Sequence, residues 1–515
     1  MSSHPRWTRH LAALFVMLVI AGCAATPSPS ASSSPATAAS PVASGAASSP
    51  TATAKAEPSV RPAAWSDCGK GFQCAAIRVP RDYTGADGGT LDVSLIRMPA
   101  TTRSIRIGSL IVNPGGPGAS GVEFVRENAD FFPESLRQQF DIVGFDPRGV
   151  NSSSGIRCID NLDGRAALDP SPDDAAELEE LVEDARAYSE ACATRNAATL
   201  PYLSTDAVAR DLDLIRMAVG DELLTYLGFS YGTLIGSQYA ELFPERIRAM
   251  ALDGGVDPSI GLERFRSDQA TAFEAALKRF LTDCAKRRQC AFHEGGRTAR
   301  AFDALMASID AKDLPTPRVR DRRSVGPGLA QSAVLAALYA KEAWPTLAAS
   351  LALAKQGDGS LMILLADPFR GRKENGSYSN QIDAYTANTC LDFPAPTDVA
   401  EYTGWADALT TKAPHFAQHI AYNDLACAFW PVPATRTPAP VSAAGAPPIV
   451  VVGSTGDPAT PYAWSVALAK QLETGSLVTR KGEGHTAFSA SACVREAVDA
   501  YLVDLTVPAD GLTCD

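Results

Sequence analysis

Residues 223–233 read LLTYLGFSYGT, and this stretch decides the fold. Leu223 to Leu227 read as a buried strand, and Thr233 to Leu242 read as the start of a helix. Ser230 stands between Gly228 and Gly232 in the pattern G-x-S-x-G. That pattern is a nucleophile elbow, in which a strand turns so sharply into a helix that the serine takes a strained backbone conformation. The flanking positions must be nearly free of side chain, because strand and helix pass close by. The turn lifts Oγ clear of the sheet, beside the outward N–H groups of a helix N-terminus. The bland alternative is a chance match in a chain with 39 glycines. The strand–turn–helix context counts against it.

Outward from the elbow, further apolar runs end in loops rich in Gly or Asp. Phe72 to Val79 and Leu91 to Met98 flank a turn at Gly85 to Gly89, the pattern of a hairpin. Ser109 to Val112 runs into NPGGPGASG, and Phe140 to Phe145 into DPRGVNSS. Ile247 to Leu252 runs into DGGVDP, Pro448 to Val452 into GSTGDP, and Ser476 to Val478 toward GEGH. Most of these runs are continuously apolar, as in strands buried on both faces. Helical stretches such as Ala207 to Val219 intervene. The alternation predicts an α/β protein with a mostly parallel, doubly wound sheet. Active sites of such sheets lie at the carboxyl ends of the strands. The strands pause between residues 256 and 445, where amphipathic runs around Ser267 to Ala285 and Ala330 to Lys355 predict helices. The expectation is a helical cap, 256–445, inserted between core strands six and seven. Residues 65–255 and 446–515 form the core on either side of it, the second piece carrying the acid and base.

The N-terminus carries an address. Arg6, Arg9 and His10 precede an apolar run from Leu11 to Ile20 that is too short to span a membrane. The run ends in Ile20-Ala21-Gly22-Cys23, which resembles the lipobox of bacterial lipoproteins. The resemblance implies that residues 1–22 are a signal peptide and that Cys23 is lipidated. A plain signal peptide followed by a chance cysteine is the simpler reading. Residues 24–64 are almost wholly Ala, Ser, Pro and Thr, so residues 23–64 are expected to form a disordered tether. Besides Cys23 there are ten cysteines, an even number that in an exported chain argues for disulfides. Several pairings are open. The simplest joins neighbours: 68–74, 158–192, 284–290, 390–427 and 493–514. No C-x-x-C pair suggests a metal. The chain holds 46 Lys and Arg against 58 Asp and Glu, and losing residues 1–22 removes two arginines and no acid, leaving 44 against 58. That balance of −14 disfavours nucleic acid and charge-driven adsorption to anionic lipid. The expected location is the outer face of the cell membrane, attached only through lipid, or the surrounding medium. Oligomeric state is not written in the sequence.

A serine hydroxyl needs a base, and the base needs an orienting carboxylate. Of six histidines, His4 and His10 lie in the signal segment and His293 beside an expected disulfide. His415 and His419 sit one helical turn apart without the Glu of HExxH, and read as a surface face of the cap. His485, in KGEGHTAF after the last strand, is left as the base. Asp457, in GSTGDPATP, is the expected acid, and Thr460 and Pro461 support its loop. Asp253, after the sixth strand, is the rival. Asp457 is preferred because it precedes His485 by a short strand–helix interval. Acyl transfer also needs N–H donors aimed at the developing oxyanion. Gly115 or Gly116, in the glycine-rich run Asn113 to Gly118, is expected to pair with the N–H of Tyr231. The run lacks the Lys-Ser/Thr and the spacing of a phosphate loop. Asp146, Arg148 and Gly149 read as a structural network buttressing the site. This chemistry requires no metal and no organic cofactor.

Together NPGGPGASG, GFDPRGVNSS, GFSYGT, GSTGDPATP and GEGHTAF resemble the proline iminopeptidase-like α/β-hydrolases, most nearly their exported bacterial tripeptidyl aminopeptidase branch. The resemblance runs from about Trp65 to the C-terminus. It implies an α/β-hydrolase fold, with the nucleophile, acid and base falling on Ser230, Asp457 and His485. It departs from many relatives in having Asn113 where they carry His. It also implies a serine exopeptidase acting on the free N-terminus of peptides, which needs a carboxylate for the α-ammonium. Asp392, in NTCLDFP, is the candidate, with Glu342 and Glu374 as alternatives. A carboxylesterase on small esters is the competing hydrolase. A lipid-anchored binding protein with an inactive hydrolase fold is the competing class.

Overall fold

The computed structural model describes residues 60–515. The expected signal peptide, Cys23 and nearly all of the expected tether lie outside these residues. Ten strands form one sheet: β1 (Ser66–Asp67), β2 (Gln73–Pro80), β3 (Thr90–Met98), β4 (Gly108–Asn113), β5 (Phe140–Phe145), β6 (Leu224–Phe229), β7 (Ile247–Asp253), β8 (Ile449–Gly456), β9 (Gly475–Glu483) and β10 (Leu512–Cys514). Their order is β1-β2-β3-β5-β4-β6-β7-β8-β9-β10. The first three strands run antiparallel, and every pairing from β5 to β10 is parallel. The mostly parallel α/β sheet expected from the strand pattern, and the α/β-hydrolase fold that the resemblance implies, are the ones observed. The short outer strands β1 and β10 have no apolar run and escaped the sequence reading.

All six residues of β4, of β5 and of β6 are buried, as expected for strands covered on both faces. Side chains alternate between two cores. Leu224 and Tyr226 of β6 and Ile449 and Val451 of β8 pack with Leu212, Ile215 and Tyr239 from helices Thr205–Val219 and Tyr231–Leu242. Leu227, Phe229, Val450 and Val452 face the opposite way, onto Leu136, Val494 and Val498. Each large apolar side chain so buried contributes about 1.5–3 kcal/mol. Register then fixes the site. Asn113 pairs with Gly228, Phe229 with Asp253, and Asp253 with Val452, so the loops leaving β4, β6, β7 and β8 emerge side by side.

Between β7 and β8 the described elements are helices, plus two isolated bridges. The run expected from Ala330 to Lys355 is split into Pro327–Leu338 and Trp344–Ala354 around Tyr339. Pro345 marks the new start, since proline suits a first helical turn and not an interior. The helical layer is wider than 256–445. Helix Ala175–Asn196, between β5 and β6, packs Tyr188 and Cys192 against Ala387 and Leu391 and Ala185 against Leu425. Residues read as first-core sequence therefore build part of the cap. The five disulfides join the neighbouring cysteines: 68–74, 158–192, 284–290, 390–427 and 493–514. No helix among the described residues is long and apolar enough to cross a membrane.

Candidate active site

Ser230 follows β6 at φ 54° and ψ −126°, and helix Tyr231–Leu242 begins at the next residue. A positive φ in a residue with a Cβ is costly, of order 1–3 kcal/mol, and persists only where the surroundings impose it. They do so here. The Ser230 N–H donates to the Asp253 carbonyl at 2.9 Å, and the Thr233 N–H and hydroxyl both donate to the Ser230 carbonyl. The flanking glycines are required by space. A Cβ on Gly228 would come within 2.6 Å of the Gly232 carbonyl, and one on Gly232 within 2.7 Å of the Asn113 carbonyl.

The structure brings Asp457 and His485 together. His485 Nδ1 lies 2.9 Å from both Asp457 oxygens. Asp457 is buried and held by four further donors: the N–H groups of Ala459, Thr460 and Thr486, and the Thr460 hydroxyl. Burial depresses the basicity of His485, but the charge and hydrogen bond of Asp457, with a contribution from Asp253, more than offset it and raise its pKa. The rival acid has a different task. Asp253 accepts from the N–H groups of Ala487 and Phe488, just beyond the base, and makes no hydrogen bond to the imidazole. Burial pushes Asp253 up to about 6, although those two N–H groups pull the other way.

The base is also held from the cap. The His485 N–H donates to the Tyr339 carbonyl at 2.7 Å, and the two rings meet edge-on at 5.2 Å. Tyr339 was missed in the sequence because it lies in the break between two helices read as one. The Trp344-Pro345 pair was the available signal.

The expected oxyanion donors need one correction. The Gly115 N–H is taken by Asn113 Oδ1 at 2.9 Å, and Gly115 does not line the cavity above Ser230. Its contribution is spacing: at φ 91°, a Cβ there would come within 2.5 Å of the Phe229 carbonyl and 2.7 Å of the Tyr231 nitrogen. Gly116 and Tyr231 do line the cavity. The Tyr231 N–H is the first of its helix and has no acceptor within that helix.

The three carboxylates expected to hold a substrate amine do not face the cavity. Asp392 is fully buried at the end of helix Gln381–Asp392. It accepts from the Tyr231 hydroxyl at 2.5 Å, the Thr205 N–H at 2.8 Å and the Thr205 hydroxyl. It pins the residue after the nucleophile and has no face open to substrate. Glu342 and Glu374 are exposed and lie outside the cavity lining. The sequence marked Asp392 as important and misassigned what it holds.

Two further readings are adjusted. Arg148 is wholly buried, but its carboxylate partner is Asp211, bound at 2.6 and 2.7 Å; Asp146 instead holds Ser120, Val122 and Ser152. The histidine pair is not one surface face. His415 lies between Glu274 and Asp303, whereas His419 lines the cavity.

That cavity, of about 700 Å³, lies between core and cap and is lined by Gly116, Ser230, Tyr231, Tyr339 and His485 among others. Among the described residues Ser230 Oγ makes no hydrogen bond. Such contacts in empty sites are often long and tighten only with substrate bound.

This fold and these residues define a serine hydrolase of the α/β-hydrolase class. Comparison with known proteins agrees. A family profile described as TAP-like protein matches residues 413–514. The chain is 39% identical to serine protease Hip1 of Mycobacterium tuberculosis, over 89% of this chain and 92% of that protein. It is 36% identical to carboxylesterase B of the same organism, over 86% of each chain. It is 34% identical to tripeptidyl aminopeptidase of Streptomyces lividans, over 87% of this chain and 86% of that protein. The chain belongs to this tripeptidyl aminopeptidase-like family of serine hydrolases.

Proposed function

We propose that the protein is an exported serine exopeptidase that removes short pieces from the free N-terminus of peptides through an acyl-enzyme. The observation that carries the reading is the buried Asp457–His485 pair, whose imidazole lines the same cavity as Ser230. In this scheme His485 takes the Ser230 proton as Oγ adds to the scissile carbonyl. The N–H groups of Gly116 and Tyr231 receive the oxyanion, a contribution of about 3–4 kcal/mol per donor in a comparable hydrolase. Collapse passes the proton from His485 to the leaving amine. Water, deprotonated by the same imidazole, then releases the acyl group. A cavity of about 700 Å³ suits a ligand of a few residues rather than a folded chain. Export and lipid attachment at Cys23 complete the proposal, resting on the N-terminal sequence alone.

Ester hydrolysis is the second reading, favoured by one observation. The carboxylate in the cavity lining, Asp184, is already paired with Arg165. One experiment separates the readings. A fluorophosphonate should label the wild-type protein and not Ser230→Ala; failure to label the wild type would favour a binding protein. Cleavage of free but not N-acetylated peptide amides is the expected result. Turnover of p-nitrophenyl esters without either peptide set would favour the esterase.

A further inference from the structure

Three guanidiniums line the cavity, those of Arg165, Arg266 and Arg370, against the single carboxylate of Asp184. Two are satisfied. Arg266 forks onto Asp424 and also reaches Gln269 and Tyr385. Arg165 meets Asp184 at 2.9 Å and lies over the Tyr188 ring at 4.0 Å. Arg370 differs. Its five N–H donors find one side-chain acceptor among the described residues, Ser332 Oγ at 3.3 Å, and no carboxylate at ion-pair distance. Its Nε is buried without a partner. On the same cavity lining, His419 Nδ1 is also buried without a partner.

Burial, reinforced by the like charge of Arg165, lowers Arg370 to about 10, so it stays cationic at neutral pH. Burial, and then the Arg370 charge, lower His419 to about 4, so it contributes hydrogen bonding without charge. A partly buried cation whose nearest carboxylates, Asp367 and Asp184, lie beyond ion-pair distance gains from an anion that joins it. The planar guanidinium fork fits a carboxylate with two parallel hydrogen bonds. The location is productive. The Phe369 ring meets Tyr339 edge-on at 5.6 Å, and Tyr339 meets His485 at 5.2 Å, which places Arg370 one residue beyond that chain of contacts.

We propose that Arg370, with Arg165 beside it, forms a subsite for a substrate carboxylate. The enzyme then favours peptides that carry Glu or Asp among the few residues the cavity accommodates on the N-terminal side of the cleaved bond. This rests on the serine peptidase reading and names its substrate class. The protein as a whole is acidic, so the preference arises inside the cavity and not from long-range attraction.

The test uses two pairs of tripeptidyl aminomethylcoumarins, Glu-Ala-Ala with Gln-Ala-Ala and Ala-Glu-Ala with Ala-Gln-Ala. The Glu member of at least one pair should be preferred about tenfold in kcat/KM, mainly through KM. Arg370→Gln should erase the preference and Arg370→Lys restore part of it, with folding checked by near-ultraviolet circular dichroism. Equal rates within both wild-type pairs overturn the subsite and leave the peptidase reading intact. If only esters are turned over, the peptidase reading fails separately. The subsite is then decided by inhibition of ester hydrolysis: a tenfold lower inhibition constant for Glu-Ala-Ala or Ala-Glu-Ala than for its Gln partner upholds it, and equal constants overturn it. The wild-type comparison decides even if neither variant folds.

Discussion

The two walls of the cavity were built under different rules. On the core wall, Ser230, Asp457 and His485 each sit in a loop at a strand end, and pairing between strands sets where those loops emerge. On the cap wall, Arg165 and Asp184 come from before β6, and Tyr339, Arg370 and His419 from after β7. Helix packing, with contacts such as the Arg372–Asp163 ion pair and the Tyr188–Asp383 hydrogen bond, brings those two groups together. Chemistry is therefore tied to short sequence patterns, while substrate contact depends on how distant amphipathic helices settle.

The largest expected effect breaks the core wall. Asp457→Asn should lower kcat by about 10⁴-fold while leaving the fold intact, because the imidazole loses the carboxylate that fixes its tautomer. Asp253→Asn offers the contrast. It weakens the hold on Ala487 and Phe488, and is expected to lower stability by about 1–3 kcal/mol with a smaller loss of turnover. Steady-state kinetics and denaturant melts on both variants check this. Equal loss of kcat would mean that the two carboxylates share one role.

Next comes the residue that joins the walls. Asp392→Asn should loosen Tyr231 and reduce kcat by about ten- to a hundredfold, as expected when a reacting geometry slips by a fraction of an ångström. The loss should be the same for peptides and small esters, with KM little changed. A loss confined to peptides would restore Asp392 as an amine ligand, against its burial.

The same contrast explains what the sequence made legible. Gly228 and Gly232 announce the elbow because a side chain at either would strike a backbone carbonyl, that of Gly232 within the motif and that of Asn113 on the neighbouring strand. The central strands β4 to β8 were visible because continuous apolar runs mean burial on two faces. Asp392, by contrast, has the same letter whether it meets an ammonium or a tyrosine hydroxyl. Its partners Thr205 and Tyr231 lie 187 and 161 residues away. Likewise nothing local in Ala175–Asn196 says that its partners follow β7 rather than lie beside it in the chain.

A smaller effect sharpens the electrostatics of the core wall. His485 must be neutral to act as base, and Asp457 with Asp253 outweighs burial to raise its pKa above the ordinary histidine value. Activity should therefore fall as pH drops through a value above about 6.5. In Asp457→Asn the residual activity should keep its acid limb at lower pH, because the raising charge is gone. An unchanged limb in that variant would assign the titration elsewhere.

The smallest effect concerns the cap alone. His415 Nδ1 lies 2.8 Å from Glu274 and Nε2 3.0 Å from Asp303, so both nitrogens can donate only when the ring is protonated. Burial lowers its pKa, but the hydrogen bonds and charges of the two carboxylates prevail and raise it. A folded pKa above the unfolded one makes the contribution complete below about pH 6.5, and lost as pH rises through the folded value. His415→Ala should therefore cost stability near pH 6 and little near pH 9. The ring is partly exposed, so the difference should be about 1 kcal/mol or less, a shift of a few degrees in Tm at most. Turnover should be unaffected, because the cluster ties helix Leu262–Lys286 to helix Thr298–Ala311 and touches neither Asp457 nor His485. A pH-independent loss would show that His415 acts through its packing on Phe302 instead.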